Sequence, residues 1–421
     1  MDKKPVAVVL GGIVPHGNLL EKLRARGFYT VLVDYFENPP AAKAADLHVR
    51  ESAMDVDAVL AVAKKYNAAL VLCTCLDQQI GIACQVAERL GLPLPYSYEK
   101  AVEVTNKEKM KKRMWESGIP TSGYFTVHSA KEFFDAGLSF PVMVKPADSC
   151  GSAGIRKVER PEDMPSAVEH ALAWSRSGTA VVEEFVEGTE ISVYTFVSGR
   201  RAHVLLTSQR FSELGGDGDC IKCYASIAPA VVSDEILADM ETLGTKIAEV
   251  FELDNTAMFY QCMVKGRQIK VIEFAPRISG GLSFRTIEEN TGFDIINAAI
   301  DSWLGNPVEM SYHRPRVYNM TQQIHAYPCV FDHIEGAKEL KERGILDTLF
   351  YHKTKGAQIG DEKASSARVA AALIRTEDRS RLPELAKAVI DGLEVYDDQG
   401  RKVMVKGLYL KESDIALDAA S

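Results

Sequence analysis

The chain of 421 residues has no apolar run of the roughly 18 to 20 residues that a helix needs to cross a bilayer. Its start, Met1-Asp2-Lys3-Lys4 before VAVVLGGIV, mimics a short export signal, but Pro15, His16 and Asn18 break the run at once. VAVVL therefore reads as a buried first strand, and the protein is expected to be cytoplasmic. A basic block is missing too. The net charge of −9 argues against a nucleic-acid partner, while leaving room for a small basic pocket that takes a nucleotide. The eight cysteines are scattered and mostly flanked by apolar residues, a pattern of reduced core thiols and not of a disulfide framework. Cys220 and Cys223 form a single C-x-x-C, short of the four ligands of a structural zinc site. Two nucleotide signatures are absent as well: Gly11-Gly12 lacks the G-x-G-x-x-G spacing, and no G-K-[ST] follows a glycine run. Internal repeats and low-complexity segments are also lacking.

What is present is an ordinary soluble composition, 46% apolar and 25% charged, in a chain long enough for two or three domains. Apolar runs at 5–10, 30–34 and 69–73 alternate with helical patterns at 18–27, 54–66 and 80–90, which predicts a parallel sheet with helices on both faces. This first unit is expected to run over residues 1–103. From 104 to about 310 the texture becomes α+β. A helix, KEKMKKRMWESG, precedes strands at 140–145, 180–186, 190–197 and 201–207. Ile236, Met240, Leu243 and Ile247 then mark an amphipathic helix after Ser233. The strands 257–264 and 268–275, joined by Lys265-Gly266-Arg267, make a hairpin, and the helix FDIINAAIDSWLG follows. Residues 311–421 read as a third, β-rich unit that includes ARVAAALIRT, the helix PELAKAVIDG and a terminal hairpin about Asp398-Gln399-Gly400.

Five elements of the middle unit, in chain order, make joint sense as a phosphate site. Lys107 alone is a surface lysine. Lys145 ends the apolar strand FPVMVK, and Asp148-Ser149-Cys150-Gly151-Ser152-Ala153-Gly154 follows. Small residues let backbone N–H groups approach phosphate oxygens while the lysine supplies charge; a simple β-turn is the plain alternative. In VVEEFVEGTE, carboxylates at Glu183, Glu184 and Glu190 flank Phe185-Val186. An adenine needs a carbonyl and an N–H two residues apart, which Glu184 and Val186 can supply. Finally Gln261 and Glu273 stand across the hairpin, where their oxygens can meet one Mg²⁺, and Arg277 follows in PRISGG as an anion clamp. A surface hairpin with a polar face would carry the same residues.

The ordered set of Lys107, VKPADSCGSAG, EEFVEGTE and Gln261…EFAPRISGG resembles the ATP-grasp superfamily of carboxylate–amine and carboxylate–thiol ligases. The leading α/β unit resembles that family's Rossmann-like pre-ATP-grasp domain. Residues 104–310 resemble its two-lobed ATP-grasp domain, and 311–421 the β-rich C-terminal domain of amino-acid ligases and biotin-carboxylase-like proteins. The resemblance implies that Lys107 and Lys145 contact the α- and β-phosphates of ATP, and that Ser149, Gly151, Ser152 and Gly154 fold over the triphosphate. It implies that Glu184 and Val186 read adenine beside Phe185, with Glu183 near the adenine amino group and Glu190 on the ribose. Glu273 would be the main ligand of Mg²⁺, with Mn²⁺ as an alternative, and Gln261 the second ligand. Arg277, Gly280, Gly281, Arg285 and Arg210 would meet the substrate. The sequence departs from the family pattern at Gln261, usually an acid, and at Ala275, usually an asparagine.

The implied reaction is ADP-forming joining of a small carboxylate, an amino acid or similar, to an amine through an acyl phosphate. A step of the carbamoyl phosphate synthetase or biotin carboxylase type, or nucleotide binding without catalysis, is the alternative. Small-molecule substrates and a homodimer are the partners expected.

Overall fold

The computed structural model describes residues 4–132, 139–149, 153–214, 221–360 and 367–416. The apolar runs near its start become the parallel strands β1 (Val6–Leu10), β2 (Tyr29–Val33), β3 (Leu47–Val49) and β4 (Ala68–Leu72), in the order β3-β2-β1-β4. Helices α1 (Val14–Ala25), α2 (Val56–Lys65) and α3 (Asp77–Leu90) connect and cover them. Asp55 caps α2 by accepting from the Asp57 and Ala58 N–H groups, and Gly91 closes α3 at φ 65°, where a side chain is strained. Strand β3 escapes the sequence reading because its three residues, Leu-His-Val, make no apolar run.

Two short helices, α4 (Tyr98–Thr105) and α5 (Lys107–Glu116), lead out of this sheet, and Asn106 caps the second by accepting from Lys109 N–H. An antiparallel sheet of β5 (Tyr124–Val127), β6 (Val142–Pro146), β7 (Arg156–Val158) and β8 (Ala180–Glu184) follows, in the order β5-β8-β6-β7. Helix α6 (Met164–Trp174) buries Met164, Ala167, Val168 and Ala171 against it.

The largest sheet begins with β9 (Thr189–Ser198), β10 (Arg201–Leu214) and β11 (Ile221–Ala228). Helix α7 (Asp234–Val250) comes next, capped by Ser233 as its spacing predicts, with Met240, Leu243 and Ile247 buried. Strands β12 (Thr256–Lys265) and β13 (Gln268–Ala275) form the expected hairpin, and helices α8 (Ser283–Thr291) and α9 (Ile295–Leu304) follow. After residue 310 come β14 (Tyr318–His325), β15 (Cys329–Glu335), α10 (Ala337–Glu342), β16 (Thr348–Tyr351), β17 (Gln358–Ile359), β18 (Arg368–Thr376), α11 (Leu382–Gly392) and β19 (Glu394–Asp397). Three of these continue the large sheet, whose order is β13-β12-β9-β10-β11-β14-β18-β16, while β17-β15-β19 form a small sheet of their own. The sequence shows a β-rich tail but not that β14 pairs antiparallel with β11 and so extends the central sheet. Long-range pairing of this kind leaves no local signature.

The two faces of the large sheet have different partners. Ile191, Val193, Met258 and Tyr260 pack under α7 on one side. Phe196, Ala257 and Leu206 join the leading sheet and α9 on the other. Arg26, which closes α1, grips Asp301 on α9 with two bonds of 2.6 and 2.8 Å and donates to the Asn297 side chain at 2.9 Å. Lys22, one turn earlier on α1, pairs with Asp294 and, at 3.4 Å, with Glu288.

Beneath the hairpin, the fully buried Phe251 ring lies 4.5 Å from Phe274, the neighbour of Glu273. Phe251→Ala is expected to lower stability by about 3–5 kcal/mol, read as a fall in urea midpoint at unchanged slope. A loss below about 1 kcal/mol would mean that the hairpin does not lean on this ring.

Candidate active site

The hairpin register supplies the first part of the site. Gln261 pairs with Glu273 on one side and with Ser192 of β9 on the other, so all three project from one face of the sheet. Lys107 reaches this spot from the first turn of α5. Its Nζ lies 3.3 Å from Glu273 Oε2 and donates to the Ser149 carbonyl at 2.9 Å, so it touches both the hairpin acid and the small-residue loop. Glu273 is held below the usual carboxylate range, first by the charge of Lys107 and against the effect of burial.

Lys145 lies at the end of β6, 8% exposed, with Nζ 3.2 Å from Glu183 Oε2. The same oxygen takes Lys111 Nζ at 2.9 Å and accepts from Ser122 Oγ at 2.9 Å. Lys111 is 1% exposed and donates to Thr121 Oγ1 at 2.7 Å and Ser122 Oγ at 2.8 Å, so its ammonium is fully bonded. Burial alone would raise Glu183, but Lys111 and Lys145 together bring it down to about 2. The carboxylate expected beside an adenine amino group is thus already engaged by two lysines and a hydroxyl.

The adenine segment behaves differently. Phe185 N–H donates to Pro141 O at 3.1 Å, and the Glu184 side chain accepts from Gly123 N–H at 3.2 Å. Lys157 stands 4.3 Å over the half-exposed Phe185 ring. In the loop after β6, Ser149 Oγ donates to Ala153 O at 3.2 Å. Gly154 turns at φ +74°, where a Cβ would come within 2.7 Å of Pro146 and Trp174. The expected Gly151 and Ser152, with Cys150, lie outside the described residues, as does Cys220.

The remaining candidates divide. Glu190 pairs with Arg210 Nε at 2.8 Å on adjacent strands. Arg277 is engaged by both oxygens of Asp77, from the start of α3, and its Nη1 donates to Ile278 O at 3.0 Å. Gly280 and Gly281 follow it, and a Cβ on Gly280 would stand 3.5 Å from Cys75 O. Arg285 is turned away into an α8 pair with Glu289 at 2.6 Å. Ala275 is buried opposite Phe259 and offers no side-chain oxygen.

Sequence reasoning missed Lys111 and Asp77. Lys111 stands one turn after Lys107 on α5, a signal available but hidden among five basic residues of that helix. Nothing local connects Asp77 to Arg277, 200 residues away.

The donors present suit Mg²⁺: an ionised carboxylate and an amide oxygen, in register. Among the described residues no three His, Cys, Asp or Glu side chains gather as a metal site. Nor is any helix among them long and apolar enough to cross a membrane.

Known proteins resemble the chain in sequence and in fold. Residues 138–285 match the ATP-grasp domain. The match falls in the middle of the chain and bears out the resemblance to the ATP-grasp superfamily that its motifs carry. The chain is 27% identical over 353 residues to formate-dependent phosphoribosylglycinamide formyltransferase of Cupriavidus taiwanensis, covering 78% of this chain and 82% of the relative. It is also 23% identical to the carbamoyl phosphate synthase large chain of Thermotoga maritima, over 47% of this chain and 18% of that one. Among solved structures, L-amino acid ligase from Bacillus licheniformis superposes with a TM-score of 0.78 at 19% identity, over 94% of this chain and all of the other.

The pH dependence of the lysine–glutamate cluster follows from its sign. Glu183 at about 2 in the folded protein lies below its ordinary 4.5, so its contribution is full above 4.5 and fades as pH falls toward 2. Glu183→Gln is expected to destabilise the protein by about 3–5 kcal/mol at pH 7, because it strands a buried ammonium. The gap to wild type should narrow between pH 4.5 and 2 in denaturation series, and a gap independent of pH would contradict the assignment.

Proposed function

We propose that the chain is an ADP-forming carboxylate–amine ligase that activates a small carboxylate as an acyl phosphate. The observation that carries this is the meeting of Lys107, Glu273, Gln261 and the small-residue loop at one place, one lysine bridging a pair of oxygen donors and the loop. Lys107 and Lys145 neutralise the phosphates. Glu184 and Val186 read adenine through their backbones, while Phe185 and Lys157 wall it. Glu273 and Gln261 would hold Mg²⁺, which when bound supplies charge neutralisation on the transferring phosphoryl group. Arg277 holds the substrate carboxylate in line with the γ-phosphorus. The oxygen of that carboxylate forms the new bond to phosphorus as the bond to ADP breaks, and an amine then displaces phosphate at carbon.

Amino-acid substrates are favoured over phosphorylated amines by one feature of the leading sheet. Asp34 accepts from Gly12 N–H at 2.6 Å and from Phe36 N–H at 2.8 Å, so the β1–α1 turn faces a carboxylate and does not offer that amide to a phosphate. The relevant assay is ADP release in the presence of Mg²⁺, with amino-acid mixtures in one arm and formate with a phosphorylated amine in the other. Hydroxylamine in place of the amine should yield a hydroxamate with equimolar ADP and phosphate. AMP and pyrophosphate would mean an adenylate, and the proposal would fall.

Two substitutions test the parts. Lys145→Ala should weaken ATP binding about ten- to a hundredfold, since one charge-assisted bond is worth roughly 1.5–3 kcal/mol. Unchanged calorimetric affinity in a folded variant would remove Lys145 from the nucleotide site. Glu273→Gln should abolish ADP release while leaving the thermal midpoint near wild type, and persistent turnover at ordinary Mg²⁺ would count against the hairpin as the metal site.

A further inference from the structure

The guanidinium of Arg277 has five N–H groups. Asp77 takes two of them, from Nε and Nη2, and Ile278 O takes one from Nη1 at 3.0 Å. Among the described residues, one N–H remains on each terminal nitrogen, a two-pronged edge of the kind that grips an oxyanion. The ring of Phe259 lies 5.0 Å from the guanidinium carbon and fixes the plane from one side. The loop between β4 and α3 also fastens the backbone around the arginine: Ile278 N–H donates to Thr74 O at 3.0 Å. Tyr96, just after α3, donates from its hydroxyl to Pro276 O at 3.0 Å.

We propose that Asp77 is a positioning residue for the ligase reaction, holding Arg277 so that its remaining N–H edge faces the carboxylate and the transferring phosphoryl group. The assignment rests on the reading of Arg277 as the anion clamp. It makes the leading α/β unit part of the active site, since the residue that aims the clamp stands at the first turn of α3 and the clamp itself follows β13. Asp77 stays ionised in this role. Burial would raise it, but the charge and bonds of Arg277 hold it below the usual carboxylate range. The rival role is that of a competitor, a carboxylate occupying the fork until substrate displaces it. The two roles predict opposite kinetics.

The test is a double-mutant cycle on the full chain, with Asp77→Asn, Arg277→Lys and both together. ADP release is measured with the acid found in the substrate screen, and nucleotide affinity by calorimetry with Mg·ATP. Positioning predicts that Asp77→Asn lowers kcat about ten- to a hundredfold, the scale of a misplaced catalytic contact, while ATP affinity stays within about threefold. It also predicts that Asp77→Asn costs little more once Arg277 is lysine, which a merely structural role would not produce. An unchanged kcat, a lower KM for the acid, or full additivity overturns the proposal. The cycle is repeated on binding of orthovanadate to the Mg·ADP-loaded protein, which needs no turnover. Weaker vanadate binding in Asp77→Asn, absent in the Arg277→Lys background, supports positioning; tighter or unaltered binding, or none in wild type, refutes it. Absence of ADP release from wild type with vanadate binding intact would sink the ligase reading alone.

Discussion

The antiparallel pairing of β12 with β13 is the constraint on which the site depends. Because side chains alternate across a strand, a slip of one residue would turn Glu273 and Gln261 to the α7 face and bury them under Met240 and Ile247. The register is held from both ends. The tight turn at Lys265–Gln268 fixes it at one, and the packing of Phe274 on Phe251 fixes it at the other. A bulge between Gln261 and Cys262 is accommodated at the same place, which sets the acid and the amide side by side.

Around that pair, lysines and arginines at the site face carboxylates. Lys107 meets Glu273, Lys145 and Lys111 share Glu183, Arg210 meets Glu190, and Arg277 meets Asp77. In these pairs five bases face four acids. The cost of burying so many charges is offset within each pair, and a triphosphate entering with its cation changes partners more than it adds charge. This also explains why a chain of net charge −9 can hold a polyphosphate site.

The sequence is most readable where chemistry is local. A strand ending in Lys145, the small-residue loop, the Lys265-Gly266-Arg267 turn and the Ser233 cap each announce themselves within a few residues; the strand, the turn and the cap lie where their neighbours predict. The apolar runs of the leading sheet are equally plain. What cannot be read is pairing over distance: β14 against β11, Asp77 against Arg277, and the sharing of Glu183 by two lysines from different elements. A glutamate in an acidic strand looks the same whether it will meet a ribose, an adenine or a buried ammonium. Only the fold decides, because the partner comes from elsewhere in the chain.

The grip of Arg26 on Asp301, with Lys22 beside it, ties α1 to α9 at one side of the molecule. Among the described residues, the four-stranded sheet of β5 to β8 has no such ion-pair anchor on α1 or α9, and after β8 it is joined to the large sheet through 185–188. Gly188 there runs at φ +137°, where a Cβ would come within 2.5 Å of Val264 O. The crossing is thus laid closely on the hairpin at the one position where the absence of a side chain allows it. Any side chain at 188 would lift that crossing off the hairpin, and with it the Phe185-Val186 segment that leads into it.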